Sequence, residues 1–262
     1  MNYGIVSACT CHMGKIRGNN EDNLYFNGKY LPADNGNIEY PWSWEGSSEN
    51  MKVFAVFDGI GGELKGELAS YISANVLAEL VEQSKSHEVN PGDFLKKAIE
   101  EMNRCVCEQT RKECISRMGN TCVILCFIKE QVYICNLGDS PAFRMHGQFW
   151  ETISVYHTNA DMMTPQQKCR KKPALTQCIG IPKEELTLEP YIAKGTLAAG
   201  DKFLICSDGL TDMVPEHEIV SILSSGLSVT GKTEYLLEQA LKNGGRDNIT
   251  VVYCEIKQEI AE

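Results

Sequence analysis

The spacing of hydrophobic and polar positions predicts short strands with helices inserted among them. Apolar runs of strand length end in turn residues, whereas longer segments repeat their apolar positions with the period of a helix. The predicted strands cover residues 3–8, 23–26, 52–57, 121–128, 131–136, 142–145, 148–153, 202–206 and 248–256. The predicted helices cover residues 63–83, a segment that begins at 91, and residues 215–223 and 234–243. Hairpins interrupted by helices indicate antiparallel sheets covered by helices, which is an α+β fold.

Two long segments, residues 27–51 and 154–182, carry no regular pattern. Loops of this length in compact domains are usually functional or disordered. The first contains Trp42 and Trp44, which either recognise a substrate or partner or fold back on the core. The second contains the basic run 168–172, which is either a solvated face or a patch that steers acidic segments toward a site. The sequence leaves both pairs of alternatives open.

Composition and charge narrow the class of protein. The 262 residues contain no linker-like stretch and no repeat, so we expect one domain that spans residues 1–262. The formal net charge of −10 argues against nucleic acid as a partner. The chain has no secretory signal and no apolar run long enough to span a membrane, and its 12 cysteines include many in apolar segments, as expected for reduced thiols. We therefore expect a cytoplasmic monomer that binds neither nucleic acid nor a membrane.

An acidic residue lies at the end of a predicted strand in five distant stretches. Asp58 and Asp208 each follow an apolar run and precede a glycine. The other three stretches are VYICNLGDS with Asp139, GGRDNITVV with Asp247, and RGNNEDNLYF with Glu21 and Asp22. Asp-Gly alone is a common turn dipeptide. However, Asp58 is followed by GIGG and a predicted helix, so a hairpin turn does not explain it.

Convergence of these strand ends would create a metal site. Carboxylates ionise near pH ~4, and two unit charges about 4 Å apart repel by roughly 4 kcal/mol at an effective dielectric near 20. Such a cluster is stable only with cations between its members. Oxygen ligands without histidine or cysteine select hard ions such as Mg²⁺ or Mn²⁺. A pair of these ions can generate a hydroxide and neutralise a phosphate, and Gly59 would let its carbonyl approach one of them.

The same stretches resemble the motifs of a known family. In this order, RGNNED, VFDGIGG, GNT, NLGDS, LICSDGLTD and GGRDNITVV resemble the metal-dependent protein serine/threonine phosphatases, the PPM or type 2C family, over residues 14–256. Each motif alone is a weak signal, whereas six in order are a strong one. The resemblance implies a four-layer α-β-β-α sandwich of two antiparallel sheets flanked by helix pairs, and the compact length is similar to that of bacterial members.

The resemblance also implies a metal-ligand set. Asp58 would bridge two Mn²⁺ or Mg²⁺ ions, with the Gly59 carbonyl on one ion. The other ion would be completed by Asp208 and Asp247.

Further implied roles fall on five other residues. Glu21 and Asp22 would hold metal-bound waters or a metal directly, and Asp139 and Asp212 match positions for a weaker third ion. Arg17 would bind the substrate phosphate, since the guanidinium fork suits phosphate oxygens; the alternative is a solvated surface charge.

The implied reaction is hydrolysis of phosphoserine and phosphothreonine in phosphoproteins, including substrates of a bacterial serine/threonine kinase. A water between the two ions would attack phosphorus in line. Three positions depart from the family pattern. Ile60 replaces the histidine proposed as proton donor in eukaryotic members, which leaves a metal-bound water as donor. Tyr156 and Gln177 lie in the segment that corresponds to the family's flap, residues 156–180, and they alter the flap and therefore the substrate preference.

Competing interpretations are weaker. A catalytically inactive phosphatase-like domain that binds phosphoproteins or a regulator usually lacks metal carboxylates, whereas Asp58, Asp208 and Asp247 are all present. The run from Cys105 to Arg111 satisfies the Cys-x5-Arg pattern of cysteine-dependent phosphatases, but it lies inside a predicted helix rather than in a phosphate-binding loop. The CTCH run at 9–12 lacks a second pair at zinc spacing.

Overall fold

The computed structural model describes residues 2–60, 65–86, 89–168 and 171–258. Its strands form two antiparallel sheets of six strands each. The strands are β1 Tyr3–His12, β2 Asn23–Phe26, β3 Lys29–Tyr30, β4 Trp42–Ser47, β5 Lys52–Phe57, β6 Cys122–Ile128, β7 Gln131–Leu137, β8 Ala142–His146, β9 Phe149–Thr152, β10 Tyr191–Thr196, β11 Lys202–Cys206 and β12 Ile249–Gln258. The first sheet has the order β4-β1-β12-β11-β8-β9, and the second has the order β10-β7-β6-β5-β2-β3.

Helices cover the outer face of each sheet. The helices are α1 Gly66–Ser84, α2 Pro91–Lys112, α3 Pro165–Lys168, α4 Asp208–Thr211, α5 Glu216–Ser224 and α6 Val229–Lys242, with a 3₁₀ turn at Ala160–Met162. The apolar faces of α1 and α2 pack on the second sheet, and those of α5 and α6 pack on the first. The four-layer α-β-β-α architecture expected from the motif resemblance is therefore confirmed.

The space between the two sheets is filled by apolar side chains. A row of phenylalanine rings crosses it, in which Phe54 lies between Phe26 and Phe127 at ring-centre distances of 5.3 and 5.9 Å. Phe203 of the opposite sheet extends the row, 5.3 Å from Phe127. Edge-to-face contacts of this kind stabilise aromatic pairs beyond simple burial. The sheets are thereby held face to face, and their strand ends lie along common edges.

Local sequence signals explain where helices α2 and α6 begin. Asn90 caps α2, because its side-chain oxygen accepts hydrogen bonds from the backbone N–H groups of Gly92 (2.9 Å) and Asp93 (3.2 Å). Pro91 occupies the first helical turn, where a missing N–H costs nothing. Ser228 caps α6 in the same way through Gly231, so this helix begins at residue 229 rather than at the predicted residue 234.

The helix predicted over residues 63–83 is confirmed from Gly66 onward. The helix begins at Gly66, and its buried face includes Ala69, Ser73, Leu77 and Leu80. This face follows the 3.6-residue period, so it departs from the strict four-residue spacing on which the prediction relied. The predicted start at residue 63, with Leu64, and the glycines at 61 and 62 lie outside the described residues.

The expectation that residues 27–51 lack regular structure is wrong. They contain β3 and β4, and β4 pairs with β1 at an edge of the first sheet. Trp44 packs on Phe54 with ring centres 6.0 Å apart, and the Lys52 ammonium lies 5.6 Å from its ring centre. Trp42 likewise lies against Lys29 and the core between the sheets. Of the two alternatives for these tryptophans, the structure therefore favours packing on the core.

Two further features concern the helices and the cysteines. None of the helices in the described ranges combines the length and the apolar character needed to cross a membrane. The cysteines of these ranges are free thiols, and most of them are buried. Cys105 lies within α2, as the sequence predicted, so the Cys-x5-Arg run does not form a phosphate loop.

Candidate active site

The acids identified at strand ends converge at one end of the two sheets. The end of β5 pairs with the start of β2, which brings Asp58 beside Asp22. The end of β11 pairs with the first residues of β12, which brings Asp208 near Asp247. Asp139 follows β7, whose end lies at the same edge as the end of β5, because both strands pair with the start of β6. Antiparallel register thus assembles carboxylates that lie far apart in the chain.

Asp58 is at the electrostatic centre of this cluster. Burial raises its pKa well above the ordinary value, and the charges of Asp208, Asp22, Asp139 and Asp247 raise it further. In the part of the chain that the structure describes, no side chain donates a hydrogen bond to the Asp58 carboxylate. This carboxylate therefore lies among like charges, which the more distant charge of Arg17 offsets only in part, an arrangement that favours a cation.

The backbone around Asp58 is fixed by close contacts. The Thr121 N–H donates to the Asp58 carbonyl (2.8 Å), and the Asp58 N–H donates to the Thr121 hydroxyl (3.3 Å). The same hydroxyl contacts that of Ser140 (2.5 Å), beside Asp139. A Cβ atom on Gly59 would lie 2.4 Å from the Glu21 carbonyl oxygen. Glycine is thus required here for packing, in addition to any role of its carbonyl toward a metal.

Asp22 is held from behind by two hydroxyl groups. Its side chain is buried, and one of its oxygens, Oδ2, accepts hydrogen bonds from Ser207 (2.7 Å) and Thr250 (2.6 Å). Burial raises the pKa of Asp22 to about 7, although the two hydroxyl donors oppose the shift. The other oxygen, Oδ1, carries neither of these bonds.

Two cationic side chains reach into the cluster. The Arg17 guanidinium donates to Asp247 Oδ2 (2.8 Å). The Lys172 ammonium forms a close ion pair with Asp208 and lies 3.2 Å from Asp212 Oδ2. Burial raises the pKa of Asp208 to about 6, although Lys172 opposes the shift. Arg17 and Lys172 thus neutralise the more exposed acids, whereas Asp58 and Asp22 form no ion pair among the described residues.

The oxygen atoms of this cluster are the ligand type that a hard divalent ion prefers. The side chains would, however, have to move to bind such an ion. Carboxylate oxygens dominate the cluster, as Mg²⁺ and Mn²⁺ prefer. No three acidic, histidine or cysteine side chains within the described ranges are arranged to hold an ion as they stand. Two of the candidate ligands, Asp208 and Asp247, are instead engaged by Lys172 and Arg17. Displacement of these two cations would release both carboxylates.

Comparisons with known proteins identify the family. The sequence model described as protein phosphatase 2C matches residues 42–243. The chain belongs to the protein phosphatase 2C family. It is 28% identical over 256 residues to the serine/threonine phosphatase Stp of Listeria welshimeri, with 92% of each chain covered. It is 30% identical over 214 residues to the protein phosphatase PhpP of Streptococcus pneumoniae, with 78% of this chain and 86% of PhpP covered.

A solved structure agrees in fold. The catalytic domain of the serine/threonine protein phosphatase PstP, in complex with two manganese ions, superimposes with a TM-score of 0.76 at 25% identity, covering 97% of this chain and all of that one. The protein is thus a serine/threonine protein phosphatase of the 2C family, as the motif resemblance predicted. The comparisons give no support to the inactive phosphatase-like alternative.

The flap of this phosphatase is attached to the site edge by hydrogen bonds. The N–H of His157 donates to the Gly138 carbonyl (2.9 Å), and its Nδ1 accepts from the Gly138 N–H (3.2 Å). Burial raises the pKa of the Tyr156 hydroxyl to about 12, and the nearby charge of Asp139 adds to this shift. Gln177 accepts a hydrogen bond from the backbone N–H of Glu189 (2.6 Å). Part of the basic run 168–172 lies outside the described residues, but Lys172 contacts the acids themselves.

Several residues of the site were missed by the sequence analysis. Ser207, Thr250, Thr121 and Asn248 lie beside the predicted acids, and their side chains hydrogen-bond to the side chain or backbone of those acids. Each of them lies within one of the quoted motifs, which is the available signal. Their partners, however, come from distant parts of the chain, so the sequence alone does not reveal what each side chain contacts.

Proposed function

We propose that this phosphatase hydrolyses phosphoserine and phosphothreonine in phosphoproteins and depends on two divalent ions, Mn²⁺ or Mg²⁺. The observation that carries the proposal is the Asp58 carboxylate, which faces four other acids without a hydrogen-bond donor in the described ranges. Such a group requires cations to remain ionised. The names of the relatives and the two manganese ions in the PstP structure support the proposal.

The proposed ligand set follows the convergence of the acids. Asp58 would contact both ions, the Gly59 carbonyl would contact one of them, and Asp208 and Asp247 would complete the other. When bound, the ions supply a hydroxide near neutral pH and neutralise charge on the phosphate.

The outer acids would extend this ligand set. Glu21 and Asp22 would hold an ion directly or through water. Asp139 and Asp212, which face Lys172 and each other, would form a weaker third site.

The residues of the chain would hold the substrate and its surroundings in place. The Arg17 side chain is 45% exposed at the edge of the cluster, so it can turn from Asp247 toward a phosphate oxygen. The apolar Ile60 side chain cannot donate a proton, so we propose that the leaving oxygen takes its proton from water. Thr121 and Ser207 would keep Asp58 and Asp22 in position during turnover.

The biological setting is part of the same proposal. We propose that residues 1–262 form one monomeric, cytoplasmic phosphatase domain whose partners are phosphoproteins, including products of a serine/threonine kinase. The net charge of −10 supports the absence of a nucleic-acid partner. No membrane partner is proposed.

The experiment is hydrolysis of a phosphothreonine peptide by the purified chain with and without Mn²⁺. We expect activity only with the ion, and Asp208→Asn should lower it by at least about 100-fold, since even the loss of a group that only hydrogen-bonds to a metal ligand costs 10–100-fold. Asp93→Asn, an exposed substitution in the first turn of α2, is the matched control and should retain full activity. Equal rates for Asp208→Asn and the control would refute the proposal.

A further inference from the structure

Arg17 lies in a loop without regular structure. Residues 13–20 connect β1 to the acidic pair before β2 and contain no helix or strand. Arginine has a long, flexible side chain, and nearly half of this one is exposed. Its position relative to a phosphate therefore depends on how the two ends of the loop are held.

A single side chain holds both ends of this loop. Asn248 Nδ2 donates to the carbonyl oxygens of Met13 (2.8 Å) and Asn19 (2.9 Å). Asn248 Oδ1 accepts from the backbone N–H of Glu21 (2.8 Å). Arg17 lies between the two tethered carbonyls, so one amide group closes the loop that carries it. A primary amide has two donors and an acceptor, which is the combination that these three backbone groups require.

Asn248 is itself rigidly placed. It is 5% exposed, and its backbone N–H donates to Asp247 Oδ1 (2.9 Å) immediately before β12 begins. Its carbonyl lies so close to α4 that a Cβ atom on Gly209 would be 2.0 Å from its oxygen. The loop is therefore anchored to a residue that is fixed immediately before β12 and against the first turn of α4.

A second set of contacts packs the loop against residues 245–248. The Lys15 N–H donates to the Gly245 carbonyl (2.7 Å). Gly14 has φ of +85°, and a Cβ atom there would lie 2.3 Å from the Asp247 carbonyl oxygen. The loop therefore lies directly on residues 245–248, and the hydrogen bonds of Asn248 fix its register there.

We propose that Asn248 is a positioning residue for phosphate binding, which acts by holding the Arg17 loop closed. The inference rests on the proposed role of Arg17 as the phosphate-binding residue. Loss of the amide leaves two carbonyls and one N–H without partners, and the loop then samples positions in which the guanidinium no longer faces the phosphate. The effect of Asn248 is therefore transmitted through Arg17 and vanishes when Arg17 is absent.

The test is a double-mutant cycle at saturating Mn²⁺. Arg17→Ala, Asn248→Ala and the double variant are compared by the inhibition constant of inorganic phosphate and by KM and kcat for a phosphothreonine peptide. We expect each single variant to raise the phosphate inhibition constant by about tenfold or more, with the change mainly in KM, and the double variant to match Arg17→Ala. If the two effects multiply in the double variant, Asn248 acts independently of Arg17 and the inference is wrong.

Two controls separate positioning from general loss of structure. Leu236→Ala removes buried volume in α6, away from the loop, and should leave the phosphate inhibition constant unchanged although it lowers stability. A matching rise in the inhibition constant with Leu236→Ala would overturn the inference. If Asn248→Ala does not fold, Asn248→Ser, which is too short to reach both carbonyls, replaces it in the cycle. An unchanged inhibition constant in Arg17→Ala would instead refute the proposed role of Arg17, and this inference with it.

Discussion

Lys172 occupies acids that the proposed divalent ions would use. Its ammonium pairs with Asp208 and lies 3.2 Å from Asp212 Oδ2, and its side chain is 49% exposed. A partly exposed ion pair contributes about 1 kcal/mol or less, and this amount must be given up before an ion can use Asp208. Because 1.36 kcal/mol corresponds to about a factor of ten, Lys172→Met should tighten Mn²⁺ binding by up to about fivefold.

Titration calorimetry with Mn²⁺ measures this change directly, without reference to turnover. Lys171→Met is the matched control, because it removes the same charge from the neighbouring exposed residue. Lys171 forms no ion pair with any of the described residues. The control should therefore differ from the unmodified chain only through long-range charge, which is largely screened at about 0.15 M salt. Equal Mn²⁺ affinity in the two variants would refute the idea that the Lys172 contact opposes metal binding.

Three further substitutions test other parts of the structure. Thr250→Val removes one of the two hydroxyl donors to Asp22 and should weaken Mn²⁺ binding by about tenfold in calorimetry; unchanged affinity would contradict this role. Glu255→Gln leaves Lys232 buried without its partner and should lower the free energy of unfolding by about 3 kcal/mol in urea titration. Burial would raise the pKa of Glu255, but hydrogen bonds from two lysines and a tyrosine outweigh it and lower the pKa to about 2. The carboxylate therefore stabilises the fold above its ordinary pKa, and its advantage over glutamine should shrink as pH falls from 5 toward 2; a constant difference would contradict the ion pair. Gly59→Ala should cost about 2 kcal/mol of stability or more, since its Cβ would lie 2.4 Å from a backbone carbonyl, and a variant of normal stability would show that the backbone can shift.

Much of the fold could be predicted because local patterns determine it. β2, β5 and β11 begin and end where the apolar runs do, and α2 begins at the proline that the sequence indicated. β4 and β10 were missed for a physical reason. Both are edge strands with partly exposed side chains, so burial imposes little apolar pattern on them.

The convergence of the acids was predictable, but their partners were not. An aspartate at the end of an apolar strand is a local signal, and antiparallel register brings such ends together. The contacts of Lys172 with Asp208, and of Asn248 with the Arg17 loop, join segments that are distant in sequence. Their geometry depends on the packing of the whole chain, which no motif encodes.

The most direct test of the two-ion account is a crystal structure of the chain grown with Mn²⁺, with the ions located by anomalous scattering. We expect two ions in contact with Asp58, with Asp208 and Asp247 on one of them and Lys172 withdrawn from Asp208. Anomalous peaks elsewhere, or an Asp58 carboxylate that contacts no ion at saturating Mn²⁺, would contradict it.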